Sequence, residues 1–168
     1  MSINTLEIKT MHRLIATGII ALNTFSVLNL SPPVKAEPKL RDCTMTIATA
    51  QKRLTTGRDV EVNIKSFDIS ESYPDHPDDR PMTYLLVLKG AATESIMRSP
   101  RFQKAIATEI IKSCGSVGVV TFGMDGTGWG QSVGVLPGGR VDNFECVEHL
   151  GSRGLPRKII WGQEFCNL

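Results

Sequence analysis

Residues 117–147 read VGVVTFGMDGTGWGQSVGVLPGGRVDNFECV, and the organisation of the chain follows from how this stretch is parsed. Val117 to Met124 is rich in β-branched and aromatic residues, the composition of a strand. Asp125-Gly126 is the dipeptide of a tight hairpin turn. Trp129 to Leu136 returns as a second strand, Pro137-Gly138-Gly139 marks another turn, and Arg140 to Val147 reads as a third strand. Such short turns between β-type runs predict an antiparallel three-stranded meander, because parallel neighbours need a long crossover.

Upstream, Ser99-Pro100 has the signature of a helix start, with serine as the capping side chain and proline in the first turn. Phe102, Ile106 and Ile110 then form one apolar stripe, flanked by Ala107, Ile111 and Cys114, and Cys114-Gly115 ends the helix. A first helix is expected over 40–55, where Leu40, Cys43, Ile47, Ala50 and Leu54 recur at steps of three and four before Gly57. Residues 59–67 alternate apolar and polar as a half-buried strand does, and 83–89 read as a more buried one. Tyr73 to Pro81 between them is a proline- and aspartate-rich loop. Downstream, a loop from Gly151 to Pro156 leads to a last short strand near Lys158–Gly162. Hairpin strands with separate helices predict an α+β domain in two layers. Its antiparallel sheet ends in the meander, and the second of its two helices packs the Phe102/Ile106/Ile110 face on that sheet.

The N-terminus reads as an export signal. His12-Arg13 precede an apolar stretch from Leu14 to Leu30, and Val34 and Ala36 stand where a signal peptidase reads small residues. Residues 1–36 are therefore expected to be a signal peptide, with a single domain over 37–168 and no stable membrane insertion after cleavage. Glu7 is out of place before such a segment, and Met11 directly precedes His12, so Met11 is read as the true start. The chain has 168 residues with 19 basic and 17 acidic side chains; segment 1–36 holds Lys9, Arg13 and Lys35 against Glu7, which leaves 16 of each and a net charge of zero. That neutrality argues against a nucleic-acid binder, since phosphate recognition concentrates positive charge. Arg98, Arg101 and Lys104 fall at helical spacing and read as a solvated face.

All four cysteines, Cys43, Cys114, Cys146 and Cys166, follow the signal, and an even count in an exported chain reads as two disulfides. The spacings of 71, 32 and 20 positions contain no zinc knuckle and no Cys-x-x-Cys. Of the three pairings possible, Cys43–Cys114 with Cys146–Cys166 is favoured, the first tying two helices and the second pinning the C-terminus.

Three constellations bear on chemistry. Gly130-Gln131-Ser132-Val133-Gly134 matches the G-x-S-x-G elbow, and Asp142 and His149 follow in hydrolase order. A small secreted serine hydrolase using Ser132, Asp142 and His149 is therefore one alternative. Its chemistry needs a strained strand-to-helix turn, whereas Ser132 is followed by a strand and a turn, with 36 residues left. Asp75, His76, Asp78 and Asp79 share the proline-rich loop, and Asp75, Asp78 and Asp79 make a Ca²⁺-binding module a second alternative, without the order of an EF-hand. Gly123 to Gly130 lacks the Lys-Ser/Thr of a phosphate loop and reads as hairpin punctuation. Trp129 and Trp161 read as core or rim, and would suggest a ligand platform if exposed together on one face.

The stretches Ser99-Pro100-Arg101-Phe102, Ser113-Cys114-Gly115-Ser116-Val117-Gly118 to Phe122-Gly123, Phe144-Glu145-Cys146 and Trp161-Gly162-Gln163-Glu164-Phe165-Cys166 together resemble a family of small exported cyanobacterial proteins of unknown function. The resemblance covers roughly 37–168. It implies a periplasmic or extracellular setting and brings no activity, ligand or catalytic residue. The expectation is an exported domain of the cell envelope that binds and does not catalyse, without a cofactor. Its partner would be another envelope protein or the chain itself, through an exposed edge at the 158–162 strand.

Overall fold

The structure, a computed structural model, describes residues 37–148 and 158–166, with side chains from Asp42 onward. The expected signal peptide, Met11, the Leu40 side chain, His149 and the 151–156 loop lie outside the described residues. In chain order the elements are α1 (Glu37–Thr55), β1 (Glu61–Asp68), β2 (Met82–Lys89), α2 (Thr93–Met97), α3 (Pro100–Ser113), β3 (Val117–Met124), β4 (Gly130–Val135), β5 (Val141–Asn143), β6 (Glu145–Val147) and β7 (Gln163–Phe165).

The fold is α+β, with a mostly antiparallel sheet in the order β1-β2-β3-β4-β5. The sheet departs from the expected hairpins in one pairing: β2 and β3 run parallel. The chain between them is spent on α2 and α3, and a helical crossover returns it to the same end of the sheet. The short helix α2 escaped the periodicity reading because five residues carry little more than one turn of pattern. β3, β4 and β5 pair antiparallel in succession. The turn from Leu136 to Gly139 has Pro137 second and Gly138 third with φ 85, the pattern of a type II turn.

The main core lies between the helices and one face of the sheet. α1 contributes Ala50 and Leu54, with Cys43 and Ile47 on the same stripe; α3 contributes Ile106, Ala107, Ile110 and Ile111. Leu86 and Leu88 of β2, Val120 and Phe122 of β3 and Val133 of β4 meet them. Phe102 is only half-buried and lies beneath the Arg58 guanidinium, 5.0 Å from its ring centre. Ser99 precedes α3 as expected but makes no side-chain cap; its carbonyl accepts the Phe102 and Gln103 N–H groups instead. The Gln103 side chain is buried and donates to the Ile96 and Met97 carbonyls where α2 ends.

The opposite face is partly covered as well, so the sheet is not a simple two-layer partner of its helices. Ile69, Val119 and Phe144 form a second core with Tyr73, Leu136 and Trp161. A bulge opens this face: Met82 pairs with Val117 but Thr83 with Val119, which leaves Gly118 as the extra residue. Val117 thereby joins the main core and Val119 the second. Tyr73, Phe144 and Trp161 meet edge to face, with ring centres 5.1–6.0 Å apart. Gly134 leaves room for Phe144: a Cβ there would stand 2.5 Å from its Cε1.

This aromatic pocket explains two further departures from the sequence reading. The third strand of the meander, read over 140–147, is split at Phe144, whose ring is buried in the second core; β5 stays in the large sheet and β6 joins a second one. The last strand is Gln163–Phe165, not Lys158–Gly162, because Trp161 plugs the aromatic cluster and Gly162 turns the chain with φ 88. β7 pairs parallel with β6, so the exposed edge expected at 158–162 is not a strand. The disulfides are Cys43–Cys114, joining α1 to the end of α3, and Cys146–Cys166, joining the β6 and β7 segments.

Candidate binding site

β4 runs beyond the reach of β5, and the small β6–β7 sheet stands against that end. The β4–β5 register covers only Val133 to Val135, leaving Gly130, Gln131 and Ser132 beside β7. Phe144 fixes this arrangement, because its N–H donates to the Ser132 carbonyl at 2.8 Å while its ring is held in the second core. Tyr73 ties down the far side: its hydroxyl donates to the Gln163 carbonyl at 2.8 Å. Trp161 adds two anchors, donating Nε1–H to the Val135 carbonyl and its backbone N–H to Asp75 Oδ2.

Between β4 and the β6–β7 sheet lies a cleft of about 170 Å³, lined by Trp129, Gly130, Gln131, Glu164, Phe165 and the Cys146–Cys166 bridge. Among the described residues that line it, Glu164 is the one acidic side chain. Burial pushes the Glu164 carboxyl above the ordinary range, and hydrogen bonds from the Ser132 hydroxyl and backbone N–H offset part of that shift. Among the described residues no Lys, Arg or His forms an ion pair with it. Its negative charge is felt nearby: burial pushes the Tyr73 phenol up to about 12, with Glu164 and then Asp75 adding to the rise. Gln131 lies on the same face of β4 as Val133, and its Oε1 is buried with no hydrogen-bond partner among the described residues. An unpaired buried amide oxygen costs about 1–3 kcal/mol, so it marks a place where a donor is missing.

The residues singled out from sequence are dispersed. Ser132 lies in mid-strand, 8 % exposed, with its Oγ 3.0 Å from Thr121 Oγ1; the strand-to-helix elbow of a hydrolase is not formed around it. The Asp142 carboxylate is occupied by Lys104 Nζ at 2.9 Å and Arg140 Nε at 3.5 Å, which hold its pKa down, the Lys104 hydrogen bond foremost. His149, the third member, lies outside the described residues. In the 75–79 loop Asp75 serves the Trp161 N–H and Asp79 lies 3.9 Å from Arg80. Asp75, Asp78 and Asp79 are not gathered into a metal site: among the described residues no group of three His, Cys, Asp or Glu is placed to hold an ion. His76 is turned to Ser70 Oγ and the Pro77 carbonyl.

Arg98 pairs with Glu94 and lies over the Trp129 ring, and Lys104 is held by Asp142, so these two do not form a free basic patch with Arg101. Trp129 packs against the main core and Trp161 in the second, so they make no shared platform. The sequence reading missed Glu164 and Gln131. The available signal was a lone acid inside Trp161-Gly162-Gln163-Glu164-Phe165-Cys166, flanked by aromatics and a bridged cysteine.

None of the described helices is long and apolar enough to cross a membrane, and the two disulfides fit an oxidising, extracytoplasmic environment. Compared with models of protein families, with curated proteins and with solved structures, the chain matches none.

Proposed function

We propose that this protein is an exported binding domain of the cell envelope that captures a small ligand, or the end of a larger one, in the Glu164 cleft, and performs no chemistry on it. The observation that carries this reading is Glu164 itself: a carboxylate partly withdrawn from water, in a cleft, with no described basic partner. Retaining such a group works against stability, and sites that do so are enriched in function. The bridge at one wall and the aromatic cluster behind the other hold the cleft rigid, as a binding site needs. The dispersal of Ser132 and Asp142 onto other partners favours binding over hydrolysis.

Nuclear magnetic resonance of the purified full chain against a library of small polar fragments tests the reading. Compounds that bind here shift the Trp129 indole and the Gly130 and Gln131 amides. Hits that map only to other surfaces, or turnover of any fragment abolished by Ser132→Ala, would overturn it.

A further inference from the structure

We propose that the free edge of β1 pairs antiparallel with β1 of a second copy of this chain, about a two-fold axis at Asn63. The surface is separate from the cleft, since β2 and β3 stand between β1 and β4. β1 pairs with β2 alone, which leaves the other side of its backbone without a strand. Such an edge is a template for a further strand, and proteins blunt it by shortness, proline, bulges or a cover. The opposite edge of this sheet is blunted: β5 has three residues and gives way to Phe144, which turns into the second core. β1 has eight residues, no proline and an unbroken register with β2. One described side chain reaches its edge, Gln51, whose Nε2 donates to the Val62 carbonyl at 3.2 Å. A carbonyl oxygen has two lone pairs, so that bond leaves the second one open.

The ladder fixes which backbone groups are free. The Ile69 N–H donates to the Pro81 carbonyl at 2.8 Å, one step beyond the Asp68–Met82 pair. Antiparallel strands exchange hydrogen bonds at every second residue, so Glu61, Asn63, Lys65 and Phe67 bond to β2. Val62, Ile64 and Ser66 therefore turn N–H and C=O to the open side, in agreement with Gln51 reaching the Val62 carbonyl. A two-fold axis at Asn63 sets Val62 opposite Ile64 of the second copy, and Ile64 opposite its Val62. Both members of each pair then carry the free groups that an antiparallel pair exchanges. The same register matches charge. Val62 and Ile64 pack on the main core, so Glu61, Asn63, Lys65 and Phe67 share the other face, and all four are exposed. Glu61 falls opposite Lys65 of the second copy and Lys65 opposite its Glu61. Neither side chain forms an ion pair among the described residues. A lysine in an edge strand deters pairing unless an acid meets it. An axis at Ile64 would set Lys65 against Asn63, and an axis at Lys65 would set it against itself. Within Glu61–Asp68, the axis at Asn63 is the one that gives Lys65 an acid on the same face.

Sedimentation equilibrium of the full chain tests the association, and amide hydrogen exchange at several protein concentrations tests its place. The expected result is a monomer–dimer equilibrium in which the Val62 and Ile64 amides exchange more slowly as concentration rises. The Asn63 and Lys65 amides, bonded to β2, should be slow at every concentration. Lys65→Glu sets like charges opposite each other at both ends of the pairing and should weaken association by about tenfold or more. Combining Glu61→Lys with Lys65→Glu restores opposite charges and should bring association back to within about threefold of the parent. Both side chains are exposed, so the variants leave the core untouched, and an unchanged near-ultraviolet circular dichroism spectrum verifies this. A chain that stays monomeric up to about 1 mM would overturn the proposal. So would association that leaves Val62 and Ile64 exchange unchanged, that survives Lys65→Glu undiminished, or that the double exchange fails to restore. Growth into assemblies larger than a dimer would also overturn it, because a two-fold pairing closes on itself.

Discussion

Replacing Gly134 by alanine puts a methyl group where the Phe144 ring stands. The new Cβ would lie 2.5 Å from Phe144 Cε1, 2.9 Å from Cζ and 3.0 Å from the Gly118 carbonyl oxygen. Relief by movement of the ring is blocked, because Phe144 is 6 % exposed and abuts Tyr73 and Trp161 at 6.0 and 5.1 Å between ring centres. The Gly118 oxygen is backbone and cannot swing aside. Overpacking of this kind costs about 1–3 kcal/mol. The smaller entropy of the unfolded alanine chain returns about 0.4–1 kcal/mol, so the net expectation is a loss of about 1–2 kcal/mol. For a folded part of this size that lowers the melting temperature by roughly 3–10 °C. Gly123→Ala is the matched control: it lies in the neighbouring strand, yet its Cβ would meet only Leu85 Cδ1 at 3.6 Å, an ordinary contact. Thermal unfolding followed by near-ultraviolet circular dichroism, which reports the aromatic cluster, should show Gly134→Ala well below the parent and Gly123→Ala at or above it. A Gly134→Ala protein as stable as the control would refute the account of how Phe144 is held.

Three further outcomes are expected. Breaking Cys43–Cys114, which closes 71 residues, should cost about 4.4 kcal/mol on the loop-entropy model, against about 3.3 kcal/mol for Cys146–Cys166, which closes 20; urea unfolding of the two double-serine variants should rank them in that order, and the reverse order would show that contacts dominate over loop closure. Because burial raises the Glu164 pKa, the unfolded chain ionises first, and the penalty sets in as pH rises through the ordinary value of 4.5 and is complete above the folded one. Glu164→Gln should therefore melt higher than the parent at pH 7 and no differently at pH 3; an increment that ignores pH would count against burial as the cause. Gln103→Leu strips a donor from the Ile96 and Met97 carbonyls and should cost about 1–3 kcal/mol, measured by chemical denaturation, whereas a neutral result would mean that water replaces the amide.

Much of the large sheet was legible because its signals are local. The β-branched run of Val117 to Met124 coincides with β3, and the stripe of Ile106, Ala107, Ile110 and Ile111 faces the core of α3 as its period requires. What escaped was decided by partners distant in sequence. Val141 to Val147 carries no local break, and the split at Phe144 exists only because Tyr73, Trp161 and the absent side chain of Gly134 form a pocket for its ring. Ile159, Ile160 and Trp161 look like a strand, but Trp161 is drawn into the same pocket and the pairing passes to Gln163–Phe165. The parallel pairing of β2 with β3 was in principle visible, since a helical pattern between two apolar runs is the signature of a crossover. The candidate site was the least legible part. A carboxylate at Glu164 is ordinary in a sequence, and only the pairing of β7 with β6 beside Ser132 makes it a desolvated one.

Phe144 also bears on kinetics. It is the single residue between β5 and β6, so the wall carrying Cys146 cannot swing without pulling a ring from among Tyr73, Trp161 and the β4 backbone. A ligand arriving at the cleft meets a surface already in its final shape. Association should then be one diffusional step whose rate rises linearly with concentration and never saturates, and related ligands should differ chiefly in how long they stay.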